Sequence, residues 1–146
     1  MAMKCTVVID PSCEEEVVVY AREESRLTRE IEALVQAQTT ELIGYNEGGI
    51  IKLHPEDIYA VITEEGKVFA ITDDGKLRLE HRLYTVEEML GTAFVRINQS
   101  CLGNVSRIRR FDASIGGALM VTFANGYTDY VSRRQLRAVK ERIGFK

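Results

Sequence analysis

Tryptophan is absent from these 146 residues, and proline and histidine occur only twice each. So little proline, with 45% hydrophobic and 28% charged residues, excludes long disordered tracts and predicts a chain that folds throughout. At this length it can bury one core, or one core with a small appendage. The two histidines, His54 and His81, sit in no HExxH pattern and near no cysteine at ligand spacing, which argues against a metal centre or a Cys-His nucleophile. Cys5, Cys13 and Cys101 are odd in number and lack a CxxC pair, so a disulfide framework and a zinc site are both disfavoured. They read as small buried apolar residues. No apolar run approaches the roughly 20 residues that span a bilayer, and "MAMKCTVVID" has one lysine before a run too short for a signal peptide, so a cytoplasmic protein is expected. The carboxylates Glu14 to Glu16, Glu64, Glu65, Asp73 and Asp74 fall in turns or at edges, where solvated faces belong. The Gly pairs in "NEGG" and "SIGG" lack the strand-to-helix setting of a phosphate loop. Neither an enzyme nor a cofactor is expected.

What is present is a marked division of charge. From residue 94 onward there are ten basic side chains (eight of them Arg) against Asp112, Asp129 and Glu141, a net of +7. Residues 1–93 hold nine basic and nineteen acidic side chains, a net of −10. A basic end on an acidic body suits a polyanionic partner, and arginine suits bidentate contacts with phosphate or guanine.

Residues 1–42 read as a small extension. A strand over Met3–Ile9, a turn at "DPSC" and a second strand in "EVVVYA" precede a helix over about 25–37, whose Leu27, Ile31, Leu34 and Val35 form one apolar face. One long helix from Ser12, with Ser12 and Glu15 as a capping box, is the competing reading.

Residues 43–146 are punctuated like a β protein. Turn signals at "NEGG", "EEGK", "DDGK", "SIGG" and "ANGY" separate the short runs "IYAVIT", "VFAIT", "LMVTFA" and "TDYVS". The Asp-Gly and Asn-Gly pairs predict type I′ hairpins at "TDDGK" and "FANGY". "TVEEMLG" predicts a short helix with Thr85 as N-cap and Gly91 as its stop. "SRRQLRAVKERIG" predicts a closing helix with Leu136, Val139 and Ile143 on one face. The fold class expected is mostly β, antiparallel, with short helices at its margins.

Two strands then end in unusual polarity. "FVRINQSCLGN" brings Arg96, Asn98, Gln99 and Ser100 together, and "YVSRRQL" brings Ser132, Arg133 and Arg134 together. With "EDIYAVITEEGKVFAIT" before them, "VEEMLGTAFVRINQSCLGNVSRIRRF" and "FANGYTDYVSRRQLRAVKERI" resemble the LytTR-type DNA-binding domain, a module of bacterial transcription factors. The resemblance covers about residues 43–146, with its blocks in the family's order. Asn98 stands where the family commonly has His, Gln99 where Arg, Lys or Asn is frequent, and Leu102-Gly103 replaces a bulkier pair, so no operator sequence is carried over.

The resemblance implies elongated antiparallel sheets whose strand-end loops enter successive major grooves, in place of a recognition helix. Carried over by position, base reading falls on Lys67, Gln99 with Asn98 beside it, and Arg134. Arg134 suits guanine and Gln99 suits adenine. Tyr130, Ser132, Arg133, Gln135 and Arg137 fall on the DNA backbone. Phe94, Val95, Ile97, Tyr130 and Val131 are expected in the core. Arg96 is expected to pair with an acid across the sheet, Ser100 to cap a bulge and Asn104 to hold the following turn.

A phosphoacceptor receiver domain needs far more than the residues 1–42 available here, so the resemblance is to short stand-alone regulators. For these, double-stranded DNA, a homodimer on paired half-sites and a small membrane protein encoded nearby are the implied partners. The alternative function is a protein-interaction module of the same fold, working with a membrane partner and without sequence-specific DNA binding. RNA binding is disfavoured, because the loops offer no exposed aromatics for stacking.

Overall fold

A computed structural model of the chain describes residues 3–39, 41–113 and 118–144. Residues 3–24 form no helix or strand and lie exposed up to helix α1 (Arg26–Thr39). Ser25 and Thr28 cap this helix reciprocally: the Ser25 N–H donates to Thr28 Oγ1 at 2.9 Å and the Thr28 N–H to Ser25 Oγ at 3.3 Å. The turn expected at "DPSC" is formed by the Cys13 N–H donating to the Asp10 carbonyl. The flanking strands expected at Met3–Ile9 and in "EVVVYA" are not formed, and neither is the longer helix from Ser12. The turn itself is the reason. Its register would set Ile9, Val8 and Val7 opposite Glu14, Glu15 and Glu16, and a hairpin closed that way would pair apolar side chains with a run of like charge.

The body begins with hairpin β1 (Leu42–Asn46) and β2 (Gly49–Leu53). A meander follows: β3 (Ala60–Glu64), β4 (Lys67–Thr72) and β5 (Gly75–Leu79). Helix α2 (Leu83–Leu90) leads to β6 (Phe94–Asn98) and β7 (Cys101–Asn104), then β8 (Ile108–Ala113), β9 (Leu119–Phe123), β10 (Thr128–Val131) and α3 (Leu136–Ile143). Two antiparallel sheets result, one of seven strands in the order β2-β1-β5-β4-β3-β7-β6 and one of three in the order β10-β9-β8.

The central strands of the large sheet are buried on both faces, and period-2 alternation sorts their side chains into two cores. Val61, Val68, Ala70, Leu77 and Leu102 face α2, whose Leu83, Val86 and Leu90 complete one core with Phe94. Ala60, Ile62, Ile71, Val95, Ile97 and Cys101 face the small sheet and α3, meeting Val121, Phe123, Val131 and Val139. Gly103 is needed at that second contact, because a Cβ there would overlap the side chains of Ile97 and Phe123. The small residue in "CLGN" therefore lets the two sheets close together.

Several local expectations are corrected. Both hairpins predicted as type I′ exist, yet only the glycine is left-handed: Gly75 has φ 91° and Gly126 φ 91°, and neither Asp74 nor Asn125 has a positive φ. The Thr72 hydroxyl accepts from the Asp74 N–H and Asn125 Oδ1 from the Tyr127 N–H, side-chain bonds that hold each turn. The turn with two positive φ values is instead Glu65-Gly66. Helix α2 starts at Leu83 with Arg82 as its N-cap, two residues before Thr85, because Leu83 is drawn into the core; Gly91 does terminate it, at φ 60°. Helix α3 starts at Leu136, with Ser132–Gln135 forming a turn before it. Cys101 is buried as expected, but Cys5 and Cys13 are exposed in the segment before α1. The "SIGG" signal lies outside the described residues. No described helix is long and apolar enough to cross a membrane.

Candidate nucleic-acid interface

Three polar chain segments meet at one edge of the protein. The Glu65-Gly66 turn holds Glu64 opposite Lys67, leaving Lys67 exposed at the β3–β4 tip. The β6–β7 tip carries Gln99 and Ser100, both exposed, just after the ladder shifts register between Arg96 and Asn98. The Thr63 N–H donates to the Ser100 carbonyl at 2.9 Å, which sets these two tips side by side. The third segment is the junction from β10 to α3. Its Ser132 N–H donates to the Ile97 carbonyl at 3.0 Å, and the Asn98 amide donates to the Tyr130 carbonyl at 2.8 Å.

Beneath the edge lies a set of polar groups that bond one another. Asn98 is 2% exposed. Its Nδ2 also donates to Asp129 Oδ1 at 2.9 Å, and its Oδ1 accepts the Ser100 N–H at 2.8 Å. Asp129 Oδ2 accepts the Tyr127 hydroxyl at 2.9 Å, and Asp129 Oδ1 accepts the Tyr130 N–H at 2.9 Å. Burial pushes the Cys101 thiol well above its ordinary range, with the Asp129 charge adding to the effect. Burial raises Tyr127 likewise, reinforced by its bond to Asp129. Arg96 braces the tip from outside, donating to the Gln99 carbonyl at 3.0 Å and to Glu87 of α2 at 2.8 Å.

The positive charge divides between exposed and occupied groups. Arg107 donates twice to the Glu56 carbonyl and lies 5.5 Å from the Tyr59 ring centroid, while Arg110 pairs with Asp112. With Arg96 these are structural arginines, so the +7 of the second half overstates what the edge presents. Arg133 and Arg134 project from the turn before α3, exposed and without an ion pair among the described residues. Arg137 pairs with Glu141 at 3.4 Å on side chains 93% and 69% exposed, a contact that water and salt screen heavily. Lys140 and Arg29 of α1 line a shallow cleft with Arg133 and Arg137. Burial lowers Arg142, with the neighbouring Arg29 charge acting in the same direction.

The LytTr DNA-binding domain family matches residues 48–144. The chain belongs to this family. An HTH-type transcriptional regulator of Staphylococcus aureus strain bovine RF122 / ET3-1 is 31% identical over 102 residues, covering 70% of this chain and 69% of that one. A counterpart in Staphylococcus aureus strain NCTC 8325 / PS 47 is 30% identical over the same span. The LytTr DNA-binding domain of a Bacillus cereus methyl-accepting/DNA response regulator shares the fold, with a TM-score of 0.68 over 73% of this chain and 99% of that chain at 17% identity. Family and relatives support a DNA-binding regulator. Although the relatives' names carry "HTH-type", α2 and α3 of this LytTr domain are separated by five strands, so they do not form a helix-turn-helix pair.

The expected site residues divide on burial. Lys67, Gln99, Arg133, Arg134 and Arg137 are exposed at the edge, and Ser132 and Gln135 are partly exposed in the turn. Asn98, expected beside Gln99 as a base reader, is buried, and both ends of its amide are bonded within the protein. Tyr130 is corrected from the core: at 49% exposure its side chain faces outward, while Val131 is buried. Phe94, Val95 and Ile97 are core residues as expected, and Asn104 holds the following turn. Arg96 pairs with Glu87 of helix α2 and not with an acid across the sheet, and at Ser100 it is the backbone N–H that is held, by the Asn98 side chain. Asp129, Tyr127, Glu87 and Arg29 were missed. A lone acid in a basic stretch was the available signal for Asp129.

Proposed function

We propose that this LytTr protein is a sequence-specific transcriptional regulator that reads successive major grooves of double-stranded DNA with its strand-end tips. The observation that carries the reading is the hydrogen-bonded union of three polar tips on one edge, with Lys67, Gln99 and Arg134 exposed along it. Arg134 is fitted to guanine O6/N7 and Gln99 to adenine N7/N6. Lys67 acts as a movable cation at the far tip. Tyr130, Ser132, Arg133, Gln135 and Arg137 hold phosphates and set register without carrying sequence information. Residues 1–42 act as an extension to a DNA-binding unit of residues 43–146. Because one such unit contacts few bases, the protein binds paired half-sites as a homodimer in the cytoplasm.

The test is a gel shift with DNA upstream of this protein's own operon against an unrelated competitor of equal length. Selective retardation supports the reading, whereas equal retardation of both DNAs, or of neither, overturns it. A small membrane protein encoded nearby is the proposed controlling partner. Copurification with it in the absence of DNA selectivity would favour a pure interaction module.

A further inference from the structure

We infer that helix α1 supplies a DNA-phosphate contact through Arg29, so that the cleft between α1 and α3 is a phosphate site built from both parts of the chain. This rests on the DNA-binding reading above and extends the interface beyond residues 43–146. Arg29, Arg133, Arg137 and Lys140 line that cleft, and Glu141 is the one carboxylate among its described lining residues. Four cations against one acid leave a net of +3 there. Glu141 is itself engaged, through its contact with Arg137. A positive cleft of this kind attracts an anion, and arginine matches phosphate oxygens with paired N–H donors.

Its setting on α1 separates Arg29 from an ordinary solvated charge. Arg26, three residues earlier, is exposed and pairs with Glu30 at 3.0 Å, so its charge is answered within the helix. Arg29 is partly buried and has no ion pair among the described residues, although Glu32 stands three residues further along the same helix. It lines the α3 cleft instead. The helix is fixed in that position: Gln36 Nε2 donates to the Met89 carbonyl at 3.0 Å, and α1 packs along Gly91–Ala93. Arg142 is also close, lowered first by burial and then by the Arg29 charge, with Glu24 acting in the opposite direction. On α3, Arg137, Lys140 and Gly144 follow the three- and four-residue spacing of one helix face, so the cleft continues from Arg133 along that helix. A backbone phosphate in the cleft meets Arg29 from one helix, and Arg133 and Arg137 from the other element.

The test is binding of the full chain to a random duplex over a salt series, read by fluorescence anisotropy, for the wild type, Arg29→Gln, Arg29→Lys and Arg26→Gln. Phosphate contacts carry no sequence information, so a random duplex suffices. Arg29→Gln should weaken binding about five- to tenfold at about 0.1 M salt and lower the salt slope by about one unit, because one fewer phosphate is neutralised. Arg29→Lys keeps the charge and should keep the slope of the wild type. Arg26→Gln removes the same charge from the same helix and should leave both affinity and slope unchanged. An Arg29→Gln protein that binds like the wild type, or an Arg26→Gln protein that loses as much, overturns the inference. The source of the phosphate is read by thermal unfolding of wild type and Arg29→Gln in potassium phosphate and in potassium chloride at equal ionic strength. The two proteins are expected to respond alike. Stabilisation by free phosphate that Arg29→Gln abolishes, with DNA binding unchanged, would assign the cleft to a small phosphate ligand and overturn the DNA contact. Equal affinity for operator and random DNA would overturn the sequence-specific reading above and leave this inference standing.

Discussion

Asn98 and Asp129, thirty-one residues apart in sequence, are joined by a 2.9 Å hydrogen bond beneath the edge that carries Gln99 and Arg134. The same Asn98 amide holds the Tyr130 carbonyl, so one buried side chain ties the β6–β7 tip to the strand that delivers the arginine turn. The family resemblance places Asn98 among the expected base readers; in the structure it lies beneath the edge, bonded to both segments.

Replacing Asn98 with Leu should therefore destabilise the fold by about 2–3 kcal/mol, because the Ser100 N–H loses its acceptor and Asp129 a donor. Binding should weaken on every DNA sequence alike, with the ranking of operator variants unchanged. Denaturant unfolding and a panel of single-base operator variants check both parts. A change in preference at one base position alone would return Asn98 to the interface.

Arg134 and Arg137 are equally charged and three residues apart, so alanine substitution separates reading from holding. Arg134→Ala should cost about 1–3 kcal/mol on the specific site and narrow its margin over random DNA. Arg137→Ala should weaken both DNAs by similar factors and reduce the salt slope by about one unit. Titration of the two DNAs at several salt concentrations reads the difference. Parallel losses in both variants would make Arg134 a phosphate anchor only.

Salt dependence follows from the exposed cations of the edge. With about four to six phosphate contacts per protomer, the slope of log affinity against log salt should be about −4 to −5, since each neutralised phosphate releases condensed counterions. Fluorescence anisotropy across a salt series measures it directly. A flat response would remove nucleic acid as the partner.

Alkaline pH should loosen the polar support. Cys101 and Tyr127 are both raised in the folded protein above their ordinary values of 9.0 and 10.0. The protonated forms are thus favoured by folding. Stability is fully present below about pH 9, and it declines as the pH climbs past the unfolded values towards the folded ones. Cys101 alone should contribute a loss of about 1.4 kcal/mol per pH unit above its unfolded value. Denaturant midpoints at pH 8, 9.5 and 10.5 should show the decline, and Cys101→Ala should flatten part of it. A pH-independent midpoint in the wild type would contradict the buried placement of these groups.

Much of the molecule is legible in its sequence. Alternating apolar residues with glycine turns between them are local signals, and they marked the strands of the meander and the ends of α2 and α3. The same local reasoning fails in "CTVVID" and "EVVVYA", whose β-forming residues are exposed and join no strand among the described residues. Turn chemistry was half right: the Asp-Gly and Asn-Gly pairs do close hairpins, but the side chains of Thr72 and Asn125 select a turn in which only the glycine needs a positive φ.

By itself the sequence determined the β architecture, the order of the polar tips and the charge of the last helix, because periodicity and turn residues act over a few neighbours. Only the tertiary structure decided which polar groups face out. Asn98 and Gln99 are adjacent and chemically alike, yet one is buried against Asp129 and Tyr130 and the other is exposed at the tip. Arg96 and Arg134 carry the same guanidinium, yet one is taken up by Glu87 and the Gln99 carbonyl. The difference lies in partners about ten to thirty residues away, brought within hydrogen-bond reach when the two sheets close on Gly103. A buried amide must be bonded inside the protein; an exposed one is left for a ligand.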